Sequence, residues 1–362
     1  MHSFTWLSAR SVAEAGAAAS MTLAAAMVIG DSEGGNGAIL KAGGIDVLDV
    51  LKEGLLVPAT LVSLTGVDGL GDITKEAGTG IRIGAMVTLA KLAEHPLVRR
   101  HYPALADAAA QSASPQLRNV ATLGGNLLQR PRCWYFRSLE FHCLRKGGDH
   151  CFALGGDNRY HAIFNNRPCA IVHPSSAATV LVALGAVLEL VHPDSGSRRV
   201  PLEQFLLAPD VMSENDLRPQ EILTHVHLSA PAAGVRTAYE RVGERQAFDW
   251  PLVDVAAALE LGIDGRCRRA AIVLGGAAPA PHRAHLAEQV LANRVIDESA
   301  AAAAGRAAIE AATPLADNAY KLPLLETLVR RAVLAAAGKP VVSKNRTEPG
   351  GDTPEASNSA WR

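Results

Sequence analysis

The chain has 362 residues, with 35 Lys plus Arg against 36 Asp plus Glu and a formal net charge of −1. That length allows two or three domains with cores of their own, and the balanced charge excludes a general attraction to nucleic acid or to an anionic membrane surface. Aromatics are 4% while Ala and Gly are abundant, a composition that suits helices packed closely on sheets and is silent about chemistry.

Phe4 and Trp6 fall on one side of a short extended segment, and a helix is expected to start near Ser11. The Ala-rich run 12–29 reads as one buried amphipathic helix rather than a secretion signal. Only Arg10 precedes it, Glu14 interrupts its start and no A-x-A site closes it. No other run approaches the roughly 18 apolar residues of a membrane span. A strand at 38–42, broken by Gly43-Gly44, leads to a helix at 46–53 with Val47, Val50 and Leu51 on one face, and then to a strand at 61–64. These make a β-α-β unit. A strand at 81–84 and helices at Leu89–Glu94 and 103–113 follow. The stretch 129–174 holds four of the five cysteines, shows little periodicity and is too long for a structureless loop unless something other than a core ties it down. Next come a helix at 176–184 and strands at 186–191 and 198–201 joined by the turn Pro193-Asp194-Ser195-Gly196. Segments 239–242, Val253–Leu261 and 270–274 read as three antiparallel strands. Helices are expected at 285–292, 298–312 and 322–337, the last with Leu325, Leu328, Val329 and Ala332 on one stripe. The tail beyond Gly338 is rich in Ser, Thr, Pro, Gly and charge, and is expected to be disordered.

Cys133, Cys143, Cys151 and Cys169 are spaced C-x9-C-x7-C-x17-C. Three chemistries compete for them. Disulfides need an oxidising compartment that nothing in the sequence indicates, and structural zinc usually shows C-x2–4-C knuckles, which are absent. An iron–sulfur cluster tolerates looser spacing. Arg130, Arg132, Arg137, Arg145 and Lys146 crowd the same loop, where they would offset thiolate charge or face acidic groups of a partner. Cys267 stands apart and reads as a strand cysteine without a role. His142, His150, His161 and His173 are near enough to be ligands, but four cysteines already complete a cluster. Gly43-Gly44 exposes N–H groups at a helix start, as pyrophosphate binding requires. Neither it nor the Ala121-Thr122-Leu123-Gly124-Gly125-Asn126 turn is a G-x-G-x-x-G fingerprint, so an NAD site is not indicated.

The stretches AGGIDVLDVLKEGLLVPATLVSL from Ala42, IRIGAMVTLAKLAEHPLV from Ile81 and QLRNVATLGGNLLQRPRCWYFR from Gln116 resemble the FAD-binding subunit of xanthine oxidase-family molybdenum hydroxylases. So do YERVGERQAFDWPLVDVAAAL from Tyr239, AAIVLGGAAPAPHRA from Ala270 and NAYKLPLLETLVRRAV from Asn318. The likeness is greatest to the flavin subunit of bacterial aldehyde oxidoreductases, whose cysteine loop holds a [4Fe–4S] cluster. The resemblance implies an α+β fold: a two-part PCMH-type (vanillyl-alcohol-oxidase-like) FAD-binding domain over 1–230, with its iron–sulfur loop at 129–174. A C-terminal domain of a three-stranded antiparallel sheet with a helical bundle would cover 231–338, and a tail 339–362. It further implies FAD and a [4Fe–4S] cluster as cofactors, with Cys133, Cys143, Cys151 and Cys169 as the cluster's ligands. Lys41, Ala42, Gly43, Gly44, Ile45, Asp46 and Val47 would form the pyrophosphate loop. Ala121, Thr122, Gly125, Asn126 and Leu128 would wrap the flavin and its ribityl chain, Ile222 and Leu223 would pack on the isoalloxazine, and Arg241 would sit near its polar edge. Ile45 and Ser176 depart from the usual pattern, the first standing where a small hydroxyl residue is common and the second where Asp is usual. The implied work is electron transfer from a large molybdenum-cofactor subunit and a small [2Fe–2S] subunit to FAD and an external acceptor, in a heterotrimer or a dimer of heterotrimers. No acid–base residue is assigned to this chain. It is expected in the cytoplasm, or in the periplasm by co-export with a partner, and without membrane insertion. Two rivals stand beside this reading: a self-contained flavin oxidase or reductase of the same fold, and a zinc-stabilised scaffold without redox work.

Overall fold

A computed structural model describes residues 2–27, 37–76, 78, 80–245 and 248–340. The expectation of a disordered tail falls, from 341 onward, outside the described residues. Strands β1 (Thr5–Ser8), β2 (Ala38–Lys41) and β3 (Thr60–Ser63) form a parallel sheet in the order β1-β3-β2. The helix Ile45–Lys52 crosses from β2 to β3 and buries Val47, Val50 and Leu51, as the apolar spacing predicts. Gly44, at φ 88°, turns the chain from strand into helix in a left-handed conformation that an L side chain resists.

Of the single helix expected over 12–29, residues 28 and 29 lie outside the described residues, and the rest forms two short helices instead, Val12–Ala18 and Leu23–Ala26. The backbone N–H of Ser20 bonds the carbonyl of Ala38 at 3.0 Å, and its hydroxyl accepts from the Ala38 N–H at 2.8 Å. Pairing with β2 therefore outcompetes helix continuation, and Thr22 caps the second helix through the Ala25 N–H.

An antiparallel sheet of β4 (Ile73–Glu76), β5 (Gly80–Gly84), β6 (Val187–His192), β7 (Gly196–Pro201) and β8 (Ile222–Ser229) follows, in the order β4-β5-β8-β6-β7. Ile81, Ile83, Leu188, Leu190 and Val226 put its inner face in one core with the helices Pro103–Ala110 and Ser176–Ala183. The helix expected over 103–113 stops at Ala110. Arg118 takes the carbonyls of Ser112 and Ala113 at 2.9 and 3.0 Å, and Ala113 adopts φ 46°.

Beyond it, β9 (Val235–Val242), β10 (Val253–Leu261), β11 (Cys267–Gly275) and the two-residue β12 (His282–Arg283) form the third sheet, antiparallel throughout. Three expected strands are thus present, with one short edge added. The helices His285–Leu291, Glu298–Ile309 and Lys321–Ala336 accompany this sheet, and the predicted stripe of Leu325, Leu328, Val329 and Ala332 is buried in a core shared with it. Among the described residues no helix is long and apolar enough to cross a membrane.

The cysteine loop is irregular apart from two single turns, Leu144–Lys146 and Phe152–Leu154. It is anchored at both ends of the molecule. Phe136 and Cys143 belong to the core under the helix Ile45–Lys52, while Ile163 and Phe164 belong to that of the C-terminal sheet.

Candidate functional site

Two sites lie side by side. The first is a cleft of about 1370 Å³, including its open mouth, between the Gly43-Gly44 turn, the helix Leu123–Leu127 and the 213–223 segment. Thr122 caps that helix through the Gly125 N–H at 3.2 Å. The two turns are locked together, because a Cβ on Gly43 would fall 2.1 Å from the Val120 carbonyl oxygen. A Cβ on Gly125 would meet only Thr122 Oγ1, at 3.0 Å, and Ala42 Cβ, at 3.9 Å, so its missing side chain leaves room within the cleft. Gly44 offers no side-chain cap, which leaves the first-turn N–H groups of Ile45, Asp46 and Val47 uncapped by any side chain. This is the donor set an anionic phosphate needs. The residues present fit a dinucleotide.

Ala42 through Val47, Ala121, Thr122, Gly125, Asn126, Leu128, Ile222 and Leu223 all line this cleft. Three expected residues do not. Lys41 turns its ammonium to the Trp6 ring, 5.2 Å from the centroid. Arg241 donates to the carbonyls of Gln111 at 2.5 Å and Asp249 at 2.9 Å. Ser176 lines a neighbouring cavity together with Asp254. Glu214 and Glu221, unassigned from the sequence, also line the cleft, as does Arg130, expected only in the cysteine loop; these residues meet only in the folded chain, and no local motif announces them.

The second site is a small pocket, about 290 Å³ with its opening to solvent included, lined by Cys133, Cys143, Cys151 and Cys169 together. None of the chain's cysteines is in a disulfide. Cys267 lies away from the cavity, buried in β11 with its thiol toward the Arg269 carbonyl. Backbone amides point at the sulfurs: those of Tyr135 and Phe136 at Cys133, Ala153 and Ala170 at Cys151, and Ile171 at Cys169. Arg145 also bonds Cys169, and buried Lys146 stands near Cys133 and Cys143. Burial pushes the Cys133 thiol up to about 12. Cys151 is drawn down to about 6 by a hydrogen bond from Cys169, which is itself raised by sharing that proton and by burial. Among the described residues no group of three or more His, Cys, Asp or Glu is placed to hold a metal ion as the side chains stand. Thiols spread around a void, with amides and cations directed at them, suit a multi-iron cluster, whose irons each take one cysteine.

Arg130, Arg132, Arg137 and Arg145 each meet a carboxylate of this chain, where the expectation was thiolate charge or a partner's acids. Arg130 Nε and Nη2, Arg132 Nε and Arg145 Nε keep no hydrogen-bond partner among the described residues. Asp46 takes Arg132 at 2.9 Å, Arg137 at 2.7 Å and the Arg130 N–H at 2.8 Å. Asp49 takes Arg132 at 2.9 Å. Glu214, itself buried, takes Arg130 at 2.9 Å and Arg145 at 2.6 Å. Asp46 therefore belongs both to the cleft's helix start and to the support of the cysteine cavity, and the two sites share one ion-pair network.

Residues 2–231 match the family model described as "FAD binding domain in molybdopterin dehydrogenase", and residues 238–336 match "CO dehydrogenase flavoprotein C-terminal domain". The chain is 35% identical, over 83% of its length and 92% of the relative's, to the aldehyde oxidoreductase FAD-binding subunit PaoB of Escherichia coli (strain K12). It is 27% identical, over 83% of its length and 90% of the relative's, to the carbon monoxide dehydrogenase medium chain of Hydrogenophaga pseudoflava. Its fold superposes on a chain of quinoline 2-oxidoreductase from Pseudomonas putida 86 with a TM-score of 0.69 at 26% identity, covering 93% of this chain and 98% of that one. With its flavin-type cleft and both domains accounted for, the chain belongs to the FAD-binding medium subunits of the xanthine oxidase family of molybdenum hydroxylases.

Proposed function

We propose that this chain is the electron-transfer subunit of an aldehyde-oxidising molybdenum hydroxylase, holding FAD in the cleft and a [4Fe–4S] cluster on Cys133, Cys143, Cys151 and Cys169. The observation that carries the reading is the convergence of all four cysteines on one pocket, with backbone N–H groups directed at the sulfurs of Cys133, Cys151 and Cys169. The likeness to an aldehyde oxidoreductase subunit supports the substrate class. When bound, FAD and the cluster supply redox chemistry that no protein side chain here offers, the cluster moving electrons singly.

The chain's own residues bind and orient. The uncapped N–H groups of Ile45, Asp46 and Val47 meet the pyrophosphate. Asn126 Oδ1 accepts from the Ser175 hydroxyl at 2.5 Å, which leaves the two N–H donors of its amide for the cleft. Ile222 and Leu223 supply apolar contact for a planar ring. The Asp46 carboxylate is turned onto Arg132 and Arg137, so it does not oppose phosphate binding.

In this reading residues 1–230 carry the flavin and 231–338 form the C-terminal domain. The partners are a large molybdenum-cofactor subunit and a small [2Fe–2S] subunit, in a heterotrimer or a dimer of them. The test is turnover. Expressed alone and reconstituted with FAD and iron–sulfur, the chain should oxidise no aldehyde with an artificial acceptor. Substantial turnover without a molybdenum subunit would make it a self-contained flavin oxidase.

A further inference from the structure

Beside the cysteine cavity lies a buried cation that the flavin reading does not use. Lys321, at the start of the last helix, is 1% exposed, and its Nζ donates to three carbonyls: Tyr160 at 3.0 Å, His161 at 2.9 Å and Gly276 at 2.7 Å. An ammonium has three N–H donors, one for each of these carbonyls, while burial draws the Lys321 ammonium down to about 7. No carboxylate answers it among the described ion pairs. Asn318, fully buried one turn earlier, sets its Nδ2 within 3.2–3.3 Å of the carbonyls of Asn158, His161 and Ala162, its two N–H groups shared among the three. The C-terminal domain thus grips the backbone of the cysteine loop at His161 from two side chains.

The grip has a visible result. His161 is 3% exposed, and its Nε2 lies 3.1 Å from Cys133 Sγ. Trp134 packs edge-on to the imidazole at 5.4 Å between ring centroids and fixes its plane. A cysteine sulfur bound to iron carries no proton and can only accept, so the proton of the pair sits on Nε2. Hydrogen bonds to cluster sulfurs and net charge nearby are what set a cluster's reduction potential.

We propose that His161 is a tuning residue of the cluster, donating Nε2–H to Cys133 Sγ, and that Lys321 and Asn318 are positioning residues through which the C-terminal domain holds it there. The inference rests on the cluster assignment made above. Lost N–H···S bonding or lost positive charge should each make the cluster harder to reduce.

The experiment is an anaerobic EPR redox titration of the full chain, loaded with FAD and iron, alongside iron analysis. His161→Leu should keep its iron while, at the wild-type midpoint potential, its reduced-to-oxidised ratio falls about tenfold, equivalent to about 59 mV for one electron. His161→Gln, which retains an N–H at nearly the same place, should stay within about threefold of wild type. Lys321→Met should move the ratio in the same direction as His161→Leu. An unchanged midpoint in His161→Leu at full iron content overturns the role of His161 and leaves the cluster standing. Absence of iron and of any reduced-cluster signal from wild type as well overturns the cluster, and this inference with it. If Lys321→Met loses iron, the Leu and Gln variants of His161 still decide the question.

Discussion

The flavin cleft and the cysteine cavity lie within reach of one another and are built in opposite ways. The cleft is made of backbone. Its walls are two glycine turns at helix starts, each set by residues adjacent in sequence, and its donors are main-chain N–H groups together with the Asn126 amide. The cavity is made of side chains on a loop without regular structure, held by ion pairs to a helix more than eighty residues upstream and by hydrogen bonds to a helix more than one hundred and fifty residues downstream. A backbone site survives most side-chain changes and fails where a Cβ intrudes. A side-chain site fails when one ligand or one counter-ion is lost.

Substitutions sharpen that contrast, and the largest effect is expected at a ligand. Cys143→Ser, at a buried position in the core beneath the helix Ile45–Lys52, should abolish iron retention while FAD stays bound. Iron and flavin analysis of the same sample reads both, and full iron in this variant and in Cys169→Ser would remove the cluster assignment. Asp46→Ala should come next. It strips Arg132 and Arg137 of a largely buried carboxylate, at a cost of about 3–5 kcal/mol, and should lower both flavin and iron occupancy, because the network serves both sites. Loss of only one cofactor would show that the sites are independent. Gly43→Ala forces a Cβ against the Val120 carbonyl and should cost about 1–3 kcal/mol in chemical denaturation. By contrast Gly125→Ala should leave stability within about 1 kcal/mol of wild type while weakening FAD about tenfold, because its Cβ enters the cleft. Equal losses of stability in the two glycine variants would contradict the assignment of one to the fold and the other to the ligand. Arg159→Ala breaks an exposed pair with Asp157 in the cysteine loop, and should leave the denaturation midpoint unchanged.

The same contrast explains what could be read in the sequence. The β-α-β unit and the C-terminal strands and helices were legible because apolar spacing and Gly-Gly punctuation are local signals. The break in the first helix was not, because it depends on Ser20 pairing with Ala38 across the chain. Strand β8 went unassigned although its Ile222, Leu223, Val226 and Leu228 are buried; its two histidines, His225 and His227, interrupt an apolar run that would otherwise read as a strand. Among site residues, the cleft's glycines were legible from their turns. The acids that neutralise Arg130, Arg132, Arg137 and Arg145 were not, since ion-pair partners so distant in sequence leave no periodicity. The same is true of Lys321 and Asn318, which sit in a stretch quoted for its family likeness but whose contacts only the fold brings together.

The measurement that tests the account most directly is the cofactor content of the anaerobically purified full chain, by metal analysis, flavin release and EPR after reduction. The account predicts about four iron atoms and one releasable FAD per chain, with a paramagnetic reduced cluster that disappears in Cys143→Ser. Stoichiometric zinc without iron, or flavin alone with no signal on reduction, would contradict it.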